Sequence, residues 1–254
     1  MFNPLDLSNK PILVTGASSG IGRATAIVLS KLGAKLILTG RRVEELQKTR
    51  ALLDNYSIHT ISPFDLLNLD EIVPWLTGLT KEAEVRLSGV VHAAGVSSNN
   101  TVRSLSKKSL DRVFLPNLYS TLMLLRAASS KGVVDELGCS FVIVSSTAAL
   151  VGEPGMVPYS ASKSALTLVA KSAAKELAAK RIRVNCVAPG YVNTPMFQAA
   201  AEVLPGEKMR AMLDQHLLGL LEPEEVAVAI AYLLSDYAAR VTGTSLVIDS
   251  GYSS

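Results

Sequence analysis

Seven short apolar runs recur along this chain, separated by stretches with helical spacing. They are Pro11–Thr15, Lys35–Thr39, Ser57–Ser62, Gly89–Ala93, Ser140–Ser145, Arg183–Val187 and Ser245–Ile248. Several are apolar without alternation, the pattern of a parallel sheet whose two faces are both covered by helices. Gly22–Leu32, Arg42–Tyr56 and the alanine-rich Ser164–Ala179 read as helices between them. Strand–helix repetition implies right-handed crossovers and a doubly wound, mostly parallel seven-stranded sheet in three αβα layers. Ligands of such sheets bind beyond the carboxyl ends of the strands.

Composition narrows the rest. Of 254 residues, 48% are hydrophobic and 19% charged, which argues against disorder. The net charge of +3 comes without a run of lysine or arginine, so no nucleic-acid partner is expected. No run reaches the length of a membrane span. Met1–Lys10 has no basic start followed by an apolar core, so the cytoplasm is the expected setting. Cys139 and Cys186 lie in apolar strand-like stretches and read as buried, reduced thiols. No metal site is expected. No linker, repeat or low-complexity segment divides residues 1–254, which read as one domain.

The first strand runs into Thr15-Gly16-Ala17-Ser18-Ser19-Gly20-Ile21-Gly22, which opens a helix. Glycines let a phosphate approach the backbone, and free N–H groups at a helix start attract it. The spacing G-x-x-x-G-x-G resembles that of the short-chain dehydrogenase/reductase family, and the resemblance runs over nearly the whole chain. It implies a Rossmann-type fold, a nicotinamide cofactor contacted by Gly16, Ser18, Ser19, Gly20, Ile21 and Gly22, and oxidoreductase chemistry on a carbonyl or secondary alcohol. Its pattern is nearest to the 3-oxoacyl-carrier-protein-reductase-like members.

After the second strand, Gly40 stands where an acid would hold ribose hydroxyls, and Arg41 and Arg42 follow. A guanidinium can bind a 2′-phosphate that a carboxylate would repel, so NADP(H) is expected, with Arg41 the stronger contact. Asp65-Leu66 resembles the family's adenine-contacting pair, while Asp65 also fits a helix N-cap. The fourth strand ends His92-Ala93-Ala94-Gly95, where the family has Asn-Asn-Ala-Gly. Ala93, Ala94 and Gly95 are expected along the cofactor, and His92 reads as structural.

Tyr159 and Lys163 are four residues apart, which places them on one face of a helix. A neighbouring ammonium favours the phenolate, and a tyrosine so tuned can act as general acid or base. The resemblance adds Ser146, thirteen residues earlier, as the hydroxyl that orients the substrate oxygen. Ser145 competes with it and is the more inward-facing. Asn117 matches the family's helix asparagine that holds a water beside the lysine. It also fits a buried helix polar group satisfied by backbone, and Pro116 before it predicts a kink.

Past the sixth strand, the resemblance sets Pro189, Gly190, Val192 and Thr194 along the nicotinamide. A substrate lid is expected over about 192–221, with Met196, Phe197, Met209, Met212 and Leu213 as its apolar residues. Ordinary amphipathic helices explain that stretch equally well. His216 fits a lid contact and a surface histidine alike. Ile248-Asp249-Ser250-Gly251 departs from the family's Asp-Gly-Gly ending and reads as structural, within a subunit contact. The expected partners are a small carbonyl or alcohol substrate and other copies of the chain, as a homotetramer or homodimer. A carrier-bound 3-oxoacyl substrate is the alternative, against which the acidic Asp135-Glu136 before the fifth strand counts. A non-catalytic cofactor-binding regulator is a further alternative, and it predicts loss of Tyr159 or Lys163. Both are present.

Overall fold

The computed structural model describes residues 3–202 and 206–254. Seven strands form one parallel sheet: β1 (Pro11–Thr15), β2 (Lys35–Thr39), β3 (Thr60–Ile61), β4 (Gly89–His92), β5 (Cys139–Val144), β6 (Ile182–Pro189) and β7 (Ser245–Ile248). Their order is β3-β2-β1-β4-β5-β6-β7. The chain thus builds outward from β1 to β3, then crosses back to lay β4 on the other side of β1. That reversal opens a crevice at the carboxyl ends of β1 and β4.

Period-two side-chain geometry sorts the strand residues between two cores. Ile12, Val14, Leu36, Leu38, Val91, Val142 and Val187 face one side. They pack there with α1 (Gly20–Lys31) and α9 (Pro223–Leu234) through Ala26, Leu29, Val226 and Ile230. Leu13, Ile37, Val90, Phe141, Ile143, Val184 and Cys186 face the other. There they meet α3 (Ile72–Glu82), α5 (Ser120–Ala128) and α6 (Val157–Leu177). All six residues of β5 are buried, which is why its sequence shows no alternation. Each such aliphatic or aromatic side chain contributes about 1.5–3 kcal/mol by leaving water. The two cysteines are free and buried, as expected.

Three elements differ from the sequence reading. The third strand is only Thr60–Ile61, preceded by a turn of 3-10 helix at Tyr56–Ile58. The cause is His59, whose Nδ1 accepts the Leu36 N–H at 3.1 Å while Nε2 donates to the Asp54 carbonyl. A side chain therefore occupies the backbone donor that a longer β3 would have used. The second helix, α2 (Val43–Ala51), stops five residues early because Asn55 turns the chain through a left-handed conformation (φ 54°). Asp65 caps no helix: its carboxylate accepts the Leu67 N–H in a local turn, and α3 begins only at Ile72.

The predicted kink at Pro116 takes a specific form. Between α4 (Lys107–Phe114) and α5, residues Leu115–Tyr119 form one turn of π-helix. Proline has no N–H to donate and crowds the preceding carbonyl, so the ladder widens and Ser120 N–H bonds to Leu115 O. Among the described residues, no helix is long and apolar enough to cross a membrane.

Candidate active site

At the crevice, the glycine turn is shaped by contacts that exclude side chains. Gly16 has φ 66°, and a Cβ there would lie 2.7 Å from Ala94 N. Gly22 is tighter, since its Cβ would fall 2.2 Å from the Gly16 carbonyl oxygen. The Gly22→Ala variant is therefore expected to lose about 3 kcal/mol of stability, the upper end for overpacking, measured as a lowered urea midpoint. Ser19, the N-cap of α1, receives no hydrogen bond on its side chain, and no acid occupies the first turn. The amides at the start of α1 are thus left to solvent or to an anion.

Arg23 holds this turn in place, a role the sequence reading missed. Its guanidinium donates to the Ser18 carbonyl, to Thr49 Oγ1 at 2.9 Å and to Glu45 Oε2 at 2.8 Å. Lys48 and Arg23 together hold the Glu45 carboxyl at about 2, well below the usual range. By contrast, Arg41 and Arg42 are exposed and make no ion pair among the described residues. They stand beside Gly40, whose absent Cβ would lie 3.7 Å from Ser18 Oγ in the glycine turn. Leu66, expected at adenine, lies in the core at 9% exposure, while Asp65 remains half-buried past β3.

The strongest convergence is at Gly95. A Cβ there would lie 3.2 Å from Asn117 Oδ1 and 3.4 Å from Lys163 Nζ. The π-turn, the β4 loop and α6 therefore meet at one point. Asn117 is buried and satisfied by protein, as its structural alternative predicts. Oδ1 accepts the Val96 N–H at 2.9 Å, and Nδ2 donates to Val96 O and to Ser162 Oγ, both at 3.0 Å. Lys163, 5% exposed, donates to the carbonyl of Val144 at the end of β5 (2.8 Å) and lies 5.7 Å from the centre of the Tyr159 ring. Burial depresses its ammonium to about 8.

Tyr159 is half-buried, one turn before Lys163 on α6. Burial pushes its phenol up; a hydrogen bond with Ser146 acts in the opposite direction, and Glu153 adds to the rise. The expectation that Lys163 lowers the phenol is thus not met in the free chain. Desolvation disfavours both charged forms, and the ammonium is turned toward Val144 O rather than toward the phenol oxygen. Ser146 is the serine beside Tyr159, and its Oγ also accepts the Ala148 N–H. Ser145 faces inward, donating to the Lys163 carbonyl at 3.0 Å.

His92 lies under the site as a structural link. Ser120 Oγ donates to Pro116 O, so it accepts from His92 Nε2, and Nδ1 is left to accept from Thr15 Oγ1 at 2.8 Å. Thr15 Oγ1 in turn accepts the Ala94 N–H. One neutral imidazole thereby joins the glycine turn, the β4 loop and the π-turn that carries Asn117. Burial, reinforced by Lys163, holds its conjugate acid down to about 3, so the ring keeps a single proton and stays uncharged in the working pH range.

Past β6, Gly190 bonds to Ile248 O, and its missing side chain leaves room for His216 Nε2 and Asp249, 3.0 and 3.1 Å from where a Cβ would be. Thr194 caps α7 (Pro195–Ala201) and packs over the glycine turn, 3.3 Å from the Cβ position of Gly20. Val192 is buried and bridges to Leu221. Following α8 (Gly206–Asp214), His216 is buried and so is not a surface histidine. Its Nδ1 donates to Met212 O and its Nε2 accepts the Tyr191 N–H. Ser250, in place of the family's glycine, sits at φ 54°, and the Asp249 carboxylate braces the turn through the amides of Gly251 and Ser253. Glu153, Tyr191 and Tyr252 also border the site; the sequence reading passed over them, although Glu153 lies between Ser146 and Tyr159.

Taken together, the strand order, the glycine turn at the crevice and the Tyr159–Lys163 pair beside it define a dinucleotide-type fold with a tyrosine–lysine site at the sheet's point of reversal. A family profile described as "Enoyl-(Acyl carrier protein) reductase" matches residues 16–253. The 3-oxoacyl-[acyl-carrier-protein] reductase FabG of Rickettsia prowazekii is 35% identical, covering 97% of this chain and 98% of the relative. Cyclopentanol dehydrogenase of Comamonas sp. is 34% identical over the same shares. A crystal structure of a short-chain dehydrogenase/reductase from Brucella melitensis, described as "Glucose/ribitol dehydrogenase", superposes with a TM-score of 0.88 at 29% identity, covering 97% of this chain and 98% of that one. The chain belongs to the short-chain dehydrogenase/reductase family. It is an oxidoreductase acting on CH–OH and C=O groups and uses a nicotinamide cofactor.

Proposed function

We propose that the protein is an NADP(H)-dependent carbonyl reductase or alcohol dehydrogenase in which Tyr159 is the general acid in reduction and the general base in oxidation. The observation that carries this reading is the meeting of Gly95, Asn117, Lys163 and the half-exposed Tyr159 at the crevice. The residues present fit the cofactor: uncapped amides at α1 suit a pyrophosphate, and Gly16 and Gly95 keep backbone clear of side chains. A bound nicotinamide would supply or accept the hydride and, when oxidised, contribute positive charge to the site. Ser146 orients the reacting oxygen and donates to it as charge develops. Tyr159 passes its proton to that oxygen, or takes one from it. Lys163 provides the cation behind the phenol, and Asn117 holds the β4 loop against it.

Preference for NADP(H) rests on the free Arg41 and Arg42 and on the absence of an acid at Gly40. The Arg41→Ala variant is expected to raise the KM for NADPH ~10–100-fold, the worth of one charge-assisted hydrogen bond, with much less effect on NADH. Steady-state kinetics with both cofactors checks this, and a wild-type preference for NADH would reject it. The residues over 192–221, of which 203–205 lie outside the described residues, serve as a substrate lid within a single domain, and the active form is a homodimer or homotetramer in the cytoplasm.

The names of the relatives support a second reading, reduction of a carrier-bound 3-oxoacyl chain. The acidic Asp135-Glu136 does not weigh against it. Both residues precede β5, at the amino edge of the sheet and away from the site, and Glu136 pairs with Arg86. Lys180 and Arg181, the basic pair before β6 that could attract an acidic carrier, lie on that same edge and so do not favour it.

A further inference from the structure

Near Tyr159, three separate segments meet at one carboxylate. Glu153 Oε2 accepts from Tyr191 OH at 2.7 Å and Oε1 from Tyr252 OH at 2.5 Å. Tyr191 follows β6, Tyr252 lies in the C-terminal tail, and Glu153 belongs to the loop leading into α6. That loop is itself anchored, with Asn100 N–H donating to Gly155 O at 2.6 Å. The two phenols are held rigidly. His216 stacks on Tyr252 (centroids 4.7 Å, 21° between planes), and Tyr191 meets both rings edge-on. The two tyrosine hydroxyls are kept protonated by burial and by the carboxylate they serve, so they act only as donors.

A carboxylate offers about four acceptor positions. The two phenols fill one on each oxygen, and no other hydroxyl or N–H group of the described residues bonds to the Glu153 carboxylate. The remaining lone pairs belong to a half-exposed side chain close enough to Tyr159 to act on it electrostatically. A carboxylate so near a phenol that must ionise works against oxidation. The charge makes sense where it meets a donor from outside the chain.

We infer that Glu153 is a substrate-recognition residue, which receives a hydrogen bond from a hydroxyl or ammonium group that the substrate carries beyond its reacting carbon. This rests on the reaction proposed above. It assigns the enzyme to hydroxylated or amino-substituted ketones and alcohols in preference to plain alkyl ones.

The test is a matched panel of ketones, each unsubstituted, hydroxylated or amino-substituted at positions near the carbonyl, reduced with NADPH and with NADH. Wild-type enzyme is expected to favour a donor-bearing ketone over its plain counterpart in kcat/KM. In Glu153→Gln that ratio is expected to fall ~10–100-fold, the range for a hydrogen bond to a charged group. Tyr252→Phe, which frees one carboxylate oxygen but keeps the charge, is expected to lower it less, and it guards against misfolding of the first variant. Preference confined to amino ketones and weakened by salt assigns an ammonium; preference shared with hydroxy ketones assigns the neutral donor. Equal turnover of plain and donor-bearing ketones, or an unchanged ratio in Glu153→Gln, overturns the inference and leaves the reaction standing. Turnover of no ketone with either cofactor overturns both.

Discussion

The Tyr159→Phe variant is expected to lose about 10²–10⁴ of its turnover, the usual contribution of a positioned acid or base. Only the hydroxyl is removed. The ring keeps its place on α6, whose neighbouring residues Ser162 and Lys163 are anchored by hydrogen bonds of their own. Binding of NADPH, followed by fluorescence titration, is expected to stay within a few-fold of wild type. Turnover within tenfold of wild type would remove Tyr159 from the chemistry. The direction of the phenol's shift adds a pH signature. Burial and Glu153 hold the free enzyme's Tyr159 in its protonated form, above its ordinary 10. Reduction, which needs that form, is expected to hold steady across neutral pH, while oxidation gains as the pH rises.

Lys163→Met separates function from stability. Turnover is expected to fall by orders of magnitude, because the cation behind the phenol is gone. Stability is expected to hold or rise. In the folded chain the ammonium titrates at about 8, against 10.5 for an ordinary lysine. Between those values the unfolded chain binds more protons than the folded one, so wild-type stability climbs with pH across that window. Below about 8 the whole penalty is present, corresponding to about 3 kcal/mol. Methionine removes it but leaves the Val144 carbonyl without its donor, a loss of about 1–3 kcal/mol. At pH 7 the variant should therefore match or exceed wild type by up to about 2 kcal/mol. Urea unfolding of both proteins at pH 7 and pH 10 checks this, since the difference should move in favour of wild type as the pH rises. A variant markedly less stable at pH 7, or a difference that ignores pH, would show that the folded chain does not disfavour the charged lysine.

Much of the site was legible because its parts are local. The glycine turn joins a strand to the helix it feeds, and Tyr159 and Lys163 are one helical turn apart, so spacing alone places each group. Ser146, whose partner is 13 residues away, came only from family likeness. Arg23, Glu153, Tyr191 and Tyr252 were not legible. Tyr252 bonds across 99 residues of chain to Glu153, and no periodicity marks such a pair. Asp135-Glu136 shows the opposite error. Its charge was read correctly, but its edge of the sheet was not, although residues that precede a parallel strand lie at its amino end, opposite the crevice.

By itself the sequence determined the layers, the strand residues of both cores, the glycine turn and the tyrosine–lysine helix, since each follows from periodicity or from contacts a few residues apart. Tertiary structure alone decided the charge states and the partners. It is the packing of Cys139, Phe141 and Ile143 of β5 against α6 that strips water from Lys163, and the docking of the loop before α6, the segment after β6 and the C-terminal tail that closes two phenols on Glu153. Desolvation and long-range hydrogen bonding depend on what lies nearby in space, and the fold brings those groups together from far apart in the chain.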